Sequence, residues 1–310
     1  MTLLDSLFLP QLMALNKSME RHIPNYTLWV LCLDDEILRI LNSLSLKNLK
    51  LLNLKEYETS ELVEVKKNRS KGEYCWTLTP FAPKFVFETD PNVNRVTYID
   101  ADIWFRKNPI EFFIELQKSN KQILITDHSY APEYDQSDLC GQFCVQFMVF
   151  TRGDSDIVRE WWEKKCIEWC YNRFEDGKFG DQKYLDQWPI KFEKFVHILE
   201  NKELALAPWN AIRFPYGASI FYHFHDLRIL NKNKLKIDRY YKIPEVVFNN
   251  IYKIYLKDIS ESILELDKFH FKVIPQYKTS TVTNIKSFLF TRLKKIKSIN
   301  LKKSTLHFEK

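Results

Sequence analysis

Short apolar runs alternate with amphipathic segments along most of the chain, and the period of each run predicts its element. Residues 2–4 read as the end of a strand, 7–21 as an amphipathic helix, and 26–33 as a strand that stops at acidic residues. A helix over 35–44 and a short strand over 49–54 follow, then a helix over 72–88 interrupted by Pro80 and Pro83. Val96, Thr97, Tyr98 and Ile99 are β-branched or aromatic with no charge among them, the pattern of a strand covered on both faces. Residues 110–117 predict a helix, 122–126 and 141–150 strands, and 155–174 a long helix capped by Ser155 or Asp154. Another helix starts after Gly180, a strand lies near 197–202, and the segments 205–210 and 219–228 close this part. Residues 245–266 predict a helix with Val246, Val247, Ile251, Ile254 and Tyr255 on one face. Strands alternating with helices imply an α/β layered fold with a mostly parallel central sheet flanked by helices.

In such sheets ligands bind at the carboxyl ends of the strands. Three predicted strands end in aspartate: Asp5 after the first, Asp34 and Asp35 after the second, Asp100 and Asp102 after the fourth. Asp100 and Asp102 stand one residue apart, so an extended chain would aim both carboxylates to one side. Two anions that close need a positive partner: a divalent cation, a basic side chain or a shared proton. Capping the next helix does not require them, because Asn108 and Pro109 already supply a helix start.

Composition narrows the setting. The 310 residues suit one large domain, or one domain with an appendage, and the 45% apolar and 15% aromatic content excludes a disordered chain. No run approaches the roughly 18 apolar residues of a membrane span. The opening residues lack a basic region and a small-residue cleavage site, so a cytoplasmic, reducing compartment is expected. Among the six cysteines, Cys140, Cys144, Cys166 and Cys170 fall close together, but their spacings differ from the C-x2-C knuckles of structural zinc sites; reduced, mostly buried thiols are expected. Residues 284–310 carry +7 of formal charge against +6 for the whole chain, which leaves the body near neutral at −1. A near-neutral body with a basic amphipathic tail points to an anionic membrane surface, with the protein peripheral on its inner face, rather than to nucleic acid.

The segments Tyr98–Phe105 (YIDADIWF), 168–186 (EWCYNRFEDGKFGDQKYLD), 206–210 (LAPWN) and 221–225 (FYHFH) together resemble the GT-A glycosyltransferases. Within them the likeness is to retaining enzymes of the glycogenin and lipopolysaccharide galactosyltransferase type, in a bacterial surface-polysaccharide subgroup. The resemblance covers about residues 2–228, which would form the transferase domain, with a helical extension over 229–283 and the basic tail over 284–310. It implies a nucleotide-sugar donor, UDP-hexose favoured, and a saccharide or lipid-linked saccharide acceptor. It implies Mn2+ or Mg2+ held by Asp100, Asp102 and one of His223 and His225, with His225 favoured. By the same resemblance Asp5, Arg69, Asp100, Asp102 and Arg228 bind the donor, Asp181 and Gln182 lie against its sugar as the catalytic pair, and Trp209 and Asn210 line the acceptor side. A divalent ion bridging the phosphates would stabilise the charge on the departing diphosphate.

Two positions depart from the family pattern. Cys144-Val145-Gln146 stands where relatives carry Asn-x-Gly, which predicts a reshaped sugar pocket, and Asp226 replaces a glycine, adding an anion near the diphosphate that Arg228 would offset. These departures keep open a second reading, a non-catalytic nucleotide or sugar binding protein. A third, a phosphatase of the haloacid dehalogenase type, would need its D-x-D on the first strand.

Overall fold

The computed structural model describes residues 1–214, 217–237 and 240–276, with the backbone of 297–300. The chain opens with β1 (Thr2–Leu4), α1 (Leu9–His22), β2 (Leu28–Cys32), α2 (Asp35–Leu44) and β3 (Leu49–Asn53). Three helices follow, α3 (Ser60–Lys66), α4 (Lys71–Leu78) and α5 (Ala82–Thr89), before β4 (Arg95–Ile99), β5 (Ile103–Phe105), α6 (Ile110–Ser119) and β6 (Ile123–Asp127). Then come α7 (Ser137–Cys140), β7 (Phe143–Thr151), α8 (Asp156–Glu168), α9 (Trp188–Lys191), β8 (Val196–Ile198), β9 (Ala205–Leu206) and β10 (Phe221–His223). The hairpin β11 (Leu227–Asn231) and β12 (Lys234–Ile237), the helices α10 (Glu245–Val247) and α11 (Lys253–Asp267), and β13 (Lys297–Asn300) complete the order.

β1, β2 and β3 pair in parallel, while β4, β7, β6 and β8 form a second set in that order. Ile99 N donates to Met1 O at 2.9 Å and Met1 N donates to Thr97 O, which is the parallel pattern and fuses the sets edge to edge. The resulting order is β3-β2-β1-β4-β7-β6-β8, with only β7 antiparallel to its neighbours. Period-2 alternation divides the strand residues between two cores. Leu31, Val96, Tyr98, Ile123 and Ile125 face Leu78, Phe85, Trp162 and Trp188, whereas Val30, Ile99, Leu124 and Phe147 face Leu9, Leu12, Ile40 and Phe112. The layering is therefore α/β/α, with the helices expected from the sequence on both faces of the sheet.

A smaller sheet, β5-β10-β9, branches off where the chain turns between β4 and β5. Over it lies α11, whose Asp258 is buried and accepts from the Arg21 guanidinium and, at 2.7 Å, from Trp104 Nε1. One carboxylate thus ties α11 to α1 and to the strand that follows the aspartate pair. Among the described residues no helix is long and apolar enough to cross a membrane. Apart from the backbone of β13, which pairs with β12, the basic tail of 284–310 lies outside the described residues.

Three local expectations are corrected. The helix expected to reach 174 ends at Glu168, because Trp169 and Cys170 are drawn into the core and Tyr184 Oη donates to Trp169 O at 2.8 Å. A turn with Asp176 at φ 51° and Gly177 at φ 72° then reverses the chain, a left-handed pair that an Asp-Gly sequence adopts readily. In the C-terminal helix Val247, Ile251 and Tyr255 are buried as expected, but a π turn over Phe248–Tyr252 shifts the register, so Val246 and Ile254 are exposed while Tyr252, Leu256, Ile259 and Ile263 are buried. The hairpin β11–β12 begins a region expected to be helical.

Candidate active site

A cleft of about 640 Å³ opens at the carboxyl ends of β1 and β4 and is closed on its far side by β10 and the loop before Gln182. Asp5 leaves β1, caps the following turn by accepting from Leu7 N at 3.0 Å, and faces the cleft. Burial raises its carboxyl pKa, helped by the nearby Asp34. Asp100 and Asp102 leave β4, though not in the extended form the sequence implied. Ile103 N donates to Asp100 O at 3.2 Å, so Ala101 and Asp102 form a tight turn that brings the two carboxylates together. Asp100 N is held by Gln146 O at 3.1 Å and Asp102 O by Phe224 N at 2.9 Å, so β7 and β10 grip the turn from either side.

His223 at the end of β10 completes the cluster. Its Nε2 lies 3.1 Å from Asp102 Oδ1 and 3.6 Å from Asp100 Oδ2. One ligand atom from each of Asp100, Asp102 and His223 lies within 4.8 Å of the others, a group that could hold a metal ion. Burial pushes the Asp100 pKa up, and the neighbouring Asp102 adds to this against the opposing pull of His223; Asp102 is held below the usual range despite burial by His223 and Arg228. Burial alone would lower the His223 pKa, but the two carboxylates outweigh it and raise it. His223 Nε2 thus shares a proton with the two carboxylates, and a divalent cation can take the place of that proton. Two carboxylates and one imidazole form a hard donor set that fits Mn2+ or Mg2+.

Opposite this cluster stands Asp181, 2% exposed, with its backbone carbonyl accepting from Trp162 Nε1 at 2.8 Å. Its Oδ2 is buried with no protein partner, and burial with the charge of Asp100 raises its pKa to about 7. A buried polar atom left unpaired costs roughly 1–3 kcal/mol, a cost a ligand hydroxyl can relieve. Gln182 beside it donates to Cys140 O at 3.0 Å. The approach of this loop depends on Gly180, at φ 53°, where a Cβ would meet the Trp76 ring at 3.3 Å.

The residues expected from the sequence divide clearly. Asp5, Asp100, Asp102, Asp181, Gln182, Trp209, His223, His225 and Arg228 all line the cleft. His223, rather than the favoured His225, adjoins both carboxylates. His225 packs against Trp209 with ring centres 5.6 Å apart, and burial with the charges of His223 and Arg228 lowers its pKa to about 3. Arg69 is not among the lining residues: it donates to Thr77 Oγ1 and, at 2.7 Å, to Ile167 O, joining α4 to α8. Asn210 is fully buried outside the cleft, its amide engaged by Ala207 N, Ala205 O and His128 O. Trp209 Nε1 donates to the same His128 carbonyl at 2.8 Å, so the two side chains share one acceptor.

Lys71, His128, Tyr130, Gln136 and Tyr241 also line the cleft and were missed. Lys71 had a readable signal. Ser70 and Glu73 form a capping box, which marks Lys71 as the first residue of α4, and the fold turns that end of the helix toward the cleft. Gln146 stands apart from the expected pocket wall, whereas Asp226 lines an adjoining groove together with Arg228. Gln146 is fully buried behind His223 and does not line the cleft. Asp226 accepts from Tyr252 Oη at 3.0 Å.

The architecture is the GT-A fold of glycosyltransferases. The galactosyltransferase LgtC, solved with donor and acceptor sugar analogs, is similar over 84% of this chain and 94% of its own, at 12% identity and a TM-score of 0.51. The bifunctional glycosyltransferase WbbM is similar over 87% of this chain and 50% of its own, at 12% identity and a TM-score of 0.52. No family model matches the chain. Its sequence is 31% identical to the uncharacterized protein YfnF of Bacillus subtilis (strain 168) over 76% of this chain and 83% of that protein, and the chain belongs to the YfnF family. YfnD of the same organism is 27% identical over 83% of this chain and 86% of its own length.

Proposed function

We propose that this protein is a metal-dependent glycosyltransferase, moving a hexose from a nucleotide-sugar donor, UDP-linked by preference, to a saccharide or lipid-linked saccharide of a surface polysaccharide, with retention of configuration. The observation that carries the reading is the convergence of Asp100, Asp102 and His223 across a cleft from Asp181, whose Oδ2 is buried without a protein partner. Asp100, Asp102 and His223 would hold the ion, which when bound supplies positive charge to the diphosphate as it departs.

The chain's own groups do the rest. Arg228 and Lys71 are the lining cations suited to phosphate oxygens, and Asp5 to the ribose or base at the end of β1. Asp181, with a pKa near neutral, can accept from or donate to a sugar hydroxyl and places its partial charge beside the anomeric centre. Gln182 fixes the other edge of the sugar. Trp76, Tyr98 and Trp209 wall the cleft with rings and keep water from the departing bond.

An adjoining groove of about 710 Å³ shares Gln136, His225, Arg228 and Tyr241 with the cleft and adds Asp135, Asp138 and Tyr240. Aromatic faces beside carboxylates and an amide suit a saccharide, and this groove is assigned to the acceptor. The basic tail would hold the enzyme at an anionic membrane, on its cytoplasmic side, near a lipid-linked acceptor. A phosphatase is disfavoured because the aspartate pair follows β4 and not the first strand.

Calorimetry with UDP, GDP, dTDP and CMP, each with and without Mn2+, tests the reading. One nucleotide should bind tightly only with metal, and Asp102→Asn should lose that dependence. Failure of all four overturns the transferase site, and tight binding without any sugar transfer or donor hydrolysis would instead identify a binding protein.

A further inference from the structure

Gln146 sits in the middle of β7, 0% exposed, in the position that was expected to reshape the sugar pocket. Its side chain instead points at His223, with Oε1 3.0 Å from His223 Nδ1. The other end of the amide, Nε2, lies 3.4 Å from Thr126 Oγ1, and Thr126 in turn donates to Cys144 O at 3.5 Å. Because the one hydroxyl hydrogen of Thr126 is directed at Cys144 O, Thr126 offers Gln146 a lone pair. This orients the amide with its N–H toward Thr126 and its carbonyl toward His223. A carbonyl can only accept, so Nδ1 carries a hydrogen in every state of the ring; the Nε2 hydrogen, 3.1 Å from Asp102 Oδ1, is the one a cation would displace, and the lone pair so freed is aimed between Asp100 and Asp102.

We propose that Gln146 is a positioning residue for a metal ligand: it holds His223 in the Nδ1–H form and aims the Nε2 lone pair between Asp100 and Asp102. The inference rests on the metal-dependent reading above. The main chain of the same residue reinforces it, since Gln146 O accepts from Asp100 N at 3.1 Å. One residue of β7 therefore fixes two of the three ligand residues, Asp100 through its backbone and His223 through its side chain. The reach matters as much as the chemistry. Asparagine is one methylene shorter and would leave Nδ1 without its acceptor, and glycine would leave the imidazole free to rotate. Partners of this kind on a ligating histidine commonly change metal affinity by about 10- to 100-fold when removed.

The test is Mn2+ binding to the purified full-length protein, by calorimetry and by electron paramagnetic resonance, without nucleotide. Gln146→Leu keeps the volume but removes the acceptor, and Gln146→Asn keeps the amide but shortens it. Gln146→Glu restores an acceptor at the same reach. Leu and Asn variants should bind Mn2+ about 10- to 100-fold more weakly, while the Glu variant should stay near wild type, with thermal melts reporting that each is folded. Should the Leu variant fail to fold, the contrast between Asn and Glu carries the same decision. Equal affinity in wild type and the Leu or Asn variants overturns the inference and leaves the metal site standing. Equal loss in the Glu variant also overturns it, because packing and not the acceptor would then be at work. No Mn2+ binding by wild type defeats the metal reading and this inference with it.

Discussion

Asp102 is the residue on which both charge balance and geometry converge, since it meets His223 at 3.1 Å and is the cluster carboxylate whose pKa stays low. Asp102→Asn is nearly isosteric, so the fold should persist while metal-dependent transfer falls at least a hundredfold, about 3 kcal/mol of barrier. Steady-state rates across Mn2+ concentrations check this, and normal turnover in the variant would remove Asp102 from the metal site. The same cluster predicts a pH dependence whose sign can be worked out. His223 has a raised pKa when folded, so its contribution is present below its unfolded value, near 6.5, and is lost as pH rises through the folded one. Asp181, raised to about 7, acts in the same direction: the folded chain binds the extra proton between the unfolded value and 7, and stability falls as pH climbs through that window. Asp102 opposes only at acid pH, below its unfolded value. His225, His128 and the Met1 amino group, lowered by burial to about 3, 4 and 5, act the other way, so the contribution is read as a difference: in chelator the melting temperature of wild type should fall relative to that of Asp181→Asn between pH 5 and 7. A flat or rising difference between the two would contradict the protonation assigned to Asp181. At this scale the aspartate pair and the His-x-His were legible because their chemistry is local. The choice of His223 over His225 was not, since it depends on Gln146, a residue 77 positions away.

Elements were legible wherever the hydrophobic period ran uninterrupted, as in α2 and β2, and were misjudged where a partner from elsewhere overrode it. The pattern of 155–174 continues as a helix on paper, yet Trp169 and Cys170 are buried by the core and end α8 at Glu168. Arg69 was expected at the donor through the family resemblance, and its guanidinium donates to Thr77 Oγ1 and Ile167 O, away from the residues that line the cleft. The clamp between α1, β5 and α11 shows how such long-range partners hold the site. Asp258 is separated from Arg21 by 237 positions and from Trp104 by 154, so no spacing rule could have joined them. Asp258→Ala leaves the Trp104 N–H buried without an acceptor and Arg21 without its carboxylate. The expected loss is about 2–3 kcal/mol, less than for a fully enclosed pair because the Arg21 side chain is 40% exposed. Urea unfolding would measure it, and a loss well under 1 kcal/mol would mean that apolar packing alone seats α11. Since Trp104 lies two residues beyond Asp102, the variant should also weaken Mn2+ binding if that clamp steadies the turn.

For the whole molecule, the α/β class with its mostly parallel sheet followed from alternation along the chain, whereas the order β3-β2-β1-β4-β7-β6-β8 did not. Strand neighbours are chosen by contacts between distant segments, and the fusion through Met1 and Ile99 leaves no mark on either segment's hydrophobic pattern. Charge, by contrast, is written in the sequence: +7 on residues 284–310 against −1 on everything before them. Deleting those residues would be an ambiguous test of membrane docking, because it also removes β13 from the edge of β12. Replacing Lys286, Arg292, Lys294 and Lys295 with Gln leaves β13 in place and removes four cations. At roughly 1 kcal/mol for each basic residue near an anionic surface, co-sedimentation with phosphatidylglycerol vesicles should weaken by about a thousandfold. Wild type should release the same vesicles in high salt and ignore neutral phosphatidylcholine throughout, since the attraction is screened within a Debye length. If the four-Gln variant sediments as wild type does, the tail is not the anchor, and an acceptor carried on lipid would have to reach the cleft by its own affinity for the groove.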